Sequence, residues 1–563
     1  MFGRKKLIVP LLLSAILIFS FAVRFYKLGE VPNGLNNDET AIGYNAYSIG
    51  QTGRDEYGVF MPLYFRSFDD YKLPVYIYMT SFTEKIFGVN AFAVRFPSMF
   101  FGVLTVLLVF ILTKELSKRS DLAILAGFLL AINPWHIFFS RIAFEVNVAT
   151  AFAVLGTTFF VFAIKNKINY ILLFLSIISF TISIYSYNVA RIVSLLILLM
   201  LFLINFKRIS KIPKIILILF GLFAIGLLSP FILTLTSHSG FANQQGVFIA
   251  GFNAQASALE FRSYFFSLPL IYSKLFFNSF TMIVLHYLKN VFGFLSFDFF
   301  FINGANNPIN GVGNFGMFYF LELPFIVTGL FIGIKKRVSY LVPFYLWMLI
   351  VILLTSFMVE VPHATRTYMI IIPFVIFSAY GALSIYNYLS QFQKRISYTM
   401  LGVCGILFTY LIIYYLSNYF IYFPARFAKT WREEDKKVVD YIIANNNKYQ
   451  KYIFDKNADF AYTSLLFYIQ YPPSRYQKNA VYKKDGLLST LAKVDNYEFE
   501  SIDWNKDFSA KGPTLIIINP DDIGKNAILK TFNLPERPVV NVTDKTIVVY
   551  PYSEPVYRLV EKF

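Results

Sequence analysis

The chain has 563 residues, 56% hydrophobic, 19% aromatic and 15% charged, whereas a soluble domain carries ~25% charged residues. With a mean hydropathy of +0.55 it reads as an α-helical polytopic membrane protein. The formal charge of +18 does not mark a nucleic-acid binder: residues 424–563 hold 21 Lys/Arg and 18 Asp/Glu, so most of the excess lies in short loops between apolar runs, which is the footprint of topology.

Arg4-Lys5-Lys6 precedes the first apolar run, 7–23, and no small-residue cleavage site follows it. That pattern reads as a retained signal anchor. Further runs follow at 91–113, 121–139, 142–164, 169–187, 190–206, 214–236, 316–334, 339–358, 366–387 and 397–421. The expectation is about eleven transmembrane helices, each near the ~20 residues needed to cross. Alternate loops carry Arg4/Lys5/Lys6, Lys114/Lys118/Arg119, Lys165/Lys167, Lys207/Arg208/Lys211/Lys214, Lys335/Lys336/Arg337 and Lys394/Arg395. The short loops of the opposite set carry Arg141, Arg191 and Arg366. Positive-inside places the N-terminus in the cytoplasm and, with an odd number of spans, the C-terminus outside.

This division gives a transmembrane domain at 1–421, with outer loops 24–90 and 237–315, and an extracytoplasmic α/β domain at 422–563. In the latter, Lys436–Asn445 predicts a helix. Tyr452–Phe454, Thr514–Ile518 and Thr546–Tyr550 predict strands, being short β-branched or aromatic runs bounded by turn residues. No glycine-rich phosphate fingerprint is present. The single Cys404 excludes an intrachain disulfide and a Cys-rich metal site.

The polar residues of interest fall on the outer side of this topology. Asp38 and Glu39 open the first outer loop in Asn36-Asn37-Asp38-Glu39. Gly53-Arg54-Asp55-Glu56-Tyr57-Gly58 and Tyr71-Lys72-Leu73-Pro74 follow, then Arg95, Arg141 with Glu145, Tyr187 with Arg191, and His363 with Arg366. Charges near a bilayer face a cavity or pair with one another. Arg and Lys around an acidic pair suit a phosphate-bearing ligand, and a carboxylate beside it suits general-base work. Each element also has a plainer reading. Asn36, Asn37 and Asp38 are all good N-caps for a helix at 39–49, with acids favoured in its first turn. Lys72, Arg141 and Arg191 suit headgroup anchoring. Arg141 and Glu145 form an i,i+4 pair. Asp55 and Glu56 suit solvated loop charges, and His363 a core histidine.

Taken in order, these pieces resemble the GT-C membrane glycosyltransferases of the protein O-mannosyltransferase and aminoarabinose transferase type. The matching residues are Asn37-Asp38-Glu39 with Tyr44, the Gly53–Gly58 motif, Lys72-Leu73-Pro74, Phe87-Gly88 with Val94-Arg95-Phe96-Pro97-Ser98, Asn133-Pro134-Trp135 with Ser140-Arg141, Tyr185-Ser186-Tyr187 with Arg191, and His363-Ala364-Thr365-Arg366. The resemblance implies a GT-C fold and inverting transfer of a sugar from a polyprenyl-phosphate donor to an acceptor outside the cytoplasm. It implies catalytic roles for Asp38, as base, and Glu39. Lys72, Arg95, Arg141 and Arg366 would bind the donor phosphate. Tyr44, Asp55, Glu56, Tyr187, Arg191 and His363 would line the substrate pocket.

The lysine motif has one proline where many relatives have two, and eleven spans are fewer than the thirteen of aminoarabinose transferases. No dedicated metal ligands are evident; a divalent cation stays open on the family's pattern, and no cofactor is assigned. The expected partners are the lipid-linked donor, the acceptor and the bilayer, and not nucleic acid. A transporter or flippase of lipid-linked sugars is the alternative, although no matched pair of Gly/Pro-interrupted spans supports it.

Overall fold

The structure is a computed structural model. It describes every residue except 1, 68–69, 236–252, 265–269, 360, 486–487, 503–511, 519–541, 550–553 and 563. The chain divides into two compact units. One comprises Met1–Tyr26 with Ser98–Leu416, and the other Lys27–Pro97 with Ser417–Phe563.

The first unit is helical. Among the described residues of the whole chain, six helices are long and apolar enough to cross a bilayer: Leu7–Phe25, Ala91–Ser117, Glu145–Ala163, Ser279–Ile302, Tyr368–Phe392 and Lys394–Arg426. Shorter apolar helices lie at Ser120–Ile132, Tyr170–Ile184, Asn188–Ile204, Lys214–Pro230 and Ser339–Thr355. The protein is a multi-pass membrane protein.

Two departures from the hydropathy reading have physical causes. The run at 121–139 is broken: the helix stops at Ile132, and Pro134 starts a second short helix whose His136 amide donates to Asn133 Oδ1 at 2.9 Å. Asn as N-cap followed by Pro at the first helical position restarts a helix. The second departure is Ser279–Ile302, a long apolar helix inside the segment 237–315 that was expected to be an outer loop. His286, Lys289 and Asn290 interrupt its apolar run in the sequence. Buried Asn290 is satisfied within the fold, its Nδ2 donating to Ser356 O at 3.0 Å and Met358 O at 2.6 Å. A polar side chain is tolerated where it finds carbonyl acceptors.

The second unit joins the first outer loop to the C-terminal part of the chain. The loop folds as the helix Asn37–Thr52, a two-stranded ribbon of Phe65–Ser67 and Asp70–Lys72, and the helix Pro74–Phe87. The C-terminal part carries a mixed sheet, seven-stranded among the described residues, in the order Val481–Asp485, Leu488–Val494, Tyr497–Phe499, Lys451–Phe454, Thr514–Ile518, Glu554–Lys562, Val542–Val549. Lys451–Phe454 is parallel to both of its neighbours, and the other pairs are antiparallel. Thr514–Ile518 is buried along its length, as a continuous apolar run in mid-sheet requires. The helices Glu433–Ala444, Tyr462–Tyr468 and Pro473–Asn479 complete this part.

Candidate active site

Asn36 settles the capping of the helix Asn37–Thr52. Its backbone is extended and its Oδ1 accepts from the Glu39 amide at 3.0 Å. The cap is therefore supplied two residues before Asp38, and capping does not occupy the carboxyls of Asp38 and Glu39 in the first turn. Gly53 ends the helix in the left-handed region at φ 68°, its amide donating to Ile49 O at 2.9 Å, a conformation that glycine adopts without Cβ strain.

Asp38 meets Lys72. The Nζ donates to Oδ1 at 2.6 Å; the lysine side chain is 8% exposed and the carboxylate 56%. The Lys72 charge holds the Asp38 carboxyl below the usual range. Lys72 closes the strand Asp70–Lys72, paired with Phe65. Leu73 is extended, as a residue before proline must be, and Pro74 begins the next helix. One proline at that position is sufficient to turn the chain.

Glu39 meets Arg95 in a fully buried, bidentate pair. Arg95 Nε and Nη2 each donate to the carboxylate at 2.9 Å. The remaining N–H groups go to Gly34 O at 2.5 Å, Pro32 O at 2.9 Å and Leu28 O at 3.3 Å. Trp431 stacks its ring 5.8 Å from the guanidinium. All five donors of this arginine are thus engaged, and none is left over for a phosphate. Arg95 holds the loop entering the helix, which is the role its geometry gives it.

Asp55 and Glu56 lie at the far end of the same helix, both buried. Asp55 Oδ1 accepts from the amides of Tyr57 at 3.0 Å and Val59 at 2.8 Å, closing a tight loop. Glu56 Oε1 accepts from Asn45 Nδ2 at 3.2 Å, and its amide donates to Asn45 Oδ1 at 3.0 Å. Tyr462 OH approaches Oε2 at 3.4 Å. Burial pushes the Glu56 carboxyl up to about 8, against the hydrogen bond from Asn45. The solvated reading of these two acids fails on burial. Tyr44 is buried too, its hydroxyl donating to Tyr471 O at 3.2 Å and its ring edge-on to Tyr476. It packs inside the unit.

The other expected residues belong to the first unit. Arg141 is fully buried, and its Nη1 donates to Val23 O at 2.7 Å and Arg24 O at 2.9 Å, satisfying carbonyls at the end of the first helix. Arg24 bonds Ser20 Oγ at 2.9 Å, Ala131 O at 3.1 Å and His136 Nδ1 at 2.6 Å. Tyr187 precedes the helix Asn188–Ile204, which carries buried Arg191. His363 Nδ1 lies 3.0 Å from Thr365 Oγ1. Burial, with the nearby Arg366 charge, lowers His363 to about 4, leaving it neutral near pH 7. Asn147, six residues beyond Arg141, joins Ser98 O at 2.8 Å to Tyr368 OH at 2.9 Å.

Residues 72–233 match the family model for dolichyl-phosphate-mannose-protein mannosyltransferase. ArnT from Cupriavidus metallidurans in its apo state aligns at a TM-score of 0.53 with 12% identity, over 99% of this chain and 98% of that one. The same protein bound to undecaprenyl phosphate aligns at a TM-score of 0.55 with 12% identity, over 98% and 97%. No curated protein matches by sequence.

The chain has the GT-C fold of ArnT, and its residues 72–233 resemble the protein mannosyltransferase family. The region that matches the family model begins at Lys72. Among the described residues no group of three or more His, Cys, Asp or Glu side chains is placed to hold a metal ion. Asn45, Trp431 and Tyr462 hold the acids and Arg95, yet they went unnoticed in the sequence. One signal existed: Gly43 and Gly50 lie seven apart in a helix, where each glycine costs ~1 kcal/mol relative to Ala and so implies a close neighbour.

Proposed function

We propose that this protein is a glycosyltransferase that moves a sugar, with inversion, from a polyprenyl-phosphate donor to an acceptor outside the cytoplasm. Asp38 acts at the acceptor and Lys72 at the donor phosphate. The observation that carries this reading is the 2.6 Å contact between Asp38 and Lys72, an acid and a cation brought together from positions 34 residues apart at the head of the first outer loop.

The chemistry fits such a pair. Cleaving the bond between sugar and phosphate oxygen builds positive charge on the sugar and negative charge on the leaving phosphate. A fixed cation at the phosphate stabilises that transition state. The Lys72 ammonium has three donors, so it can hold a phosphate oxygen while keeping Asp38. In the resting protein Lys72 depresses the basicity of Asp38. An arriving phosphate takes up part of the lysine's charge and returns basicity to the carboxylate when the acceptor needs it. Glu39 supports this arrangement through Arg95. Arg191, Arg366, Tyr187 and His363 remain candidates for substrate contacts within the helical unit, whereas Arg141 braces the first helix. In this reading the N-terminus is cytoplasmic, and both the first outer loop and residues 422–563 are extracytoplasmic.

The test is incubation of the purified chain with a panel of polyprenyl-phosphate sugars and candidate acceptors, read by mass spectrometry. Mass gain on an acceptor with release of polyprenyl phosphate supports the proposal. Sugar delivered across proteoliposomes with its phosphate bond intact would instead mark a transporter.

A further inference from the structure

We propose that the helix Tyr462–Tyr468, in the C-terminal part of the chain, is a positioning element for the transfer reaction. It sets the helix Asn37–Thr52 in the place where Asp38 stands against Lys72. The inference rests on the proposed function of that pair.

The two helices meet without room to spare. Thr40, two residues after Asp38, shares a hydrogen bond with Thr463, Oγ1 to Oγ1 at 2.8 Å, while its own hydroxyl reaches Asn37 O at 3.1 Å. The geometry leaves Thr463 as the donor and Thr40 as its acceptor. One turn on, Gly43 faces the ring of Phe467. A Cβ at position 43 would stand 2.4 Å from Phe467 Cε2 and 3.0 Å from Val94 Cγ2. The Phe467 ring is buried and so has no open space to retreat into. At the far end Tyr462 reaches Glu56. Gln477, in the next helix, donates to Asp55 O at 2.9 Å.

These contacts hold the first turns of the helix that carries Asp38 and the loop that follows it. They come from residues more than 400 positions away and fix both its height and its rotation. A misplacement of a reacting group by ~1 Å can cost on the order of a hundredfold in rate. Thr463 and Phe467 touch neither the lysine nor the aspartate in this account. Their effect on turnover passes through the helix alone.

The experiment uses the full chain in detergent or nanodiscs, assayed with the donor found active above. The variants are Gly43→Ala, Gly43→Ala/Phe467→Leu, Thr463→Val and Thr463→Ser, each checked for monodispersity. Gly43→Ala is expected to lower kcat roughly tenfold or more at a donor KM within about twofold of wild type. The trimmed ring of the double variant should recover most of that loss. Thr463→Val should lower kcat, and Thr463→Ser, which keeps the donor hydroxyl, should not. Should Gly43→Ala fail to fold, the Thr463 pair decides the matter. Wild-type kcat in folded Thr463→Val, or no advantage of the double variant over folded Gly43→Ala, overturns the inference. Failure of the underlying function looks different: wild-type protein without transfer, or Asp38→Asn as active as wild type.

Discussion

Lys72 Nζ lies 2.6 Å from Asp38 Oδ1, with the lysine nearly buried and the carboxylate half open. The exposed partner of the pair is thus the acid, and the buried partner is the charge that tunes it.

Removing that charge should move the acid limb of the pH–rate profile. Lys72 holds the Asp38 carboxyl below its usual range, so wild-type activity should persist into acid and fall only below the ordinary carboxylate range near ~3.9. In Lys72→Ala the acid limb should shift to higher pH, and the donor KM should rise. Lys72→Arg should retain the low limb. A pH series of initial rates for the three proteins decides this; identical limbs in wild type and Lys72→Ala would contradict it.

Glu39 and Arg95 should behave as a buried pair. Replacing one partner leaves an uncompensated charge and typically costs about 3–5 kcal/mol, whereas replacing both by apolar groups costs less. Arg95→Met should therefore lower the thermal midpoint more than Arg95→Met/Glu39→Leu does. Thermal denaturation of the two variants measures the difference. A double variant less stable than the single would mean that the Glu39 side chain stabilises the fold even without the Arg95 charge, contrary to an uncompensated buried carboxylate.

Glu56 should make stability fall as pH rises. Its carboxyl has an ordinary value of 4.5 and is raised to about 8 in the folded protein. Below 4.5 the group is protonated whether folded or not, so its contribution is fully present. Between 4.5 and about 8 the unfolded chain loses the proton first, and the contribution is progressively lost. Glu56→Gln, which imitates the neutral form, should flatten that slope. Thermal midpoints from pH 4.5 to 8 test it, and equal slopes in the two proteins would count against a neutral Glu56.

Arg141 should report as a brace for the first helix, because its Nη1 bonds the carbonyls of Val23 and Arg24. Arg141→Met strands those acceptors and should cost about 1–3 kcal/mol for each buried group left unsatisfied. Lower yield and thermal stability, alongside any change in kcat, are the expected result.

The motifs were legible because their chemistry is local. Asn36-Asn37-Asp38-Glu39 announced a capped helix start, whereas Lys72-Leu73-Pro74 showed a motif but not the strand end and helix start it forms. Sequence could not say which of three N-cap candidates would cap, and that choice frees Asp38. Thr514–Ile518 appeared as a strand because it is a continuous apolar run. The hairpin of Val481–Asp485 and Leu488–Val494 did not, because Lys483, Lys484 and Asp485 hide its alternation. Ser279–Ile302 was missed for the same reason in helical form, with His286, Lys289 and Asn290 diluting the apolar signal. The packing of Phe467 on Gly43 left no local trace beyond the glycine itself.

The most direct measurement is single-turnover transfer by Asp38→Asn under saturating lipid-linked sugar, alongside wild type in the same membranes. The variant should insert, fold and bind donor but lose transfer by at least about a hundredfold, in keeping with the 10²–10⁴-fold typical of a positioned general base. Transfer by Asp38→Asn at the wild-type rate would contradict that role.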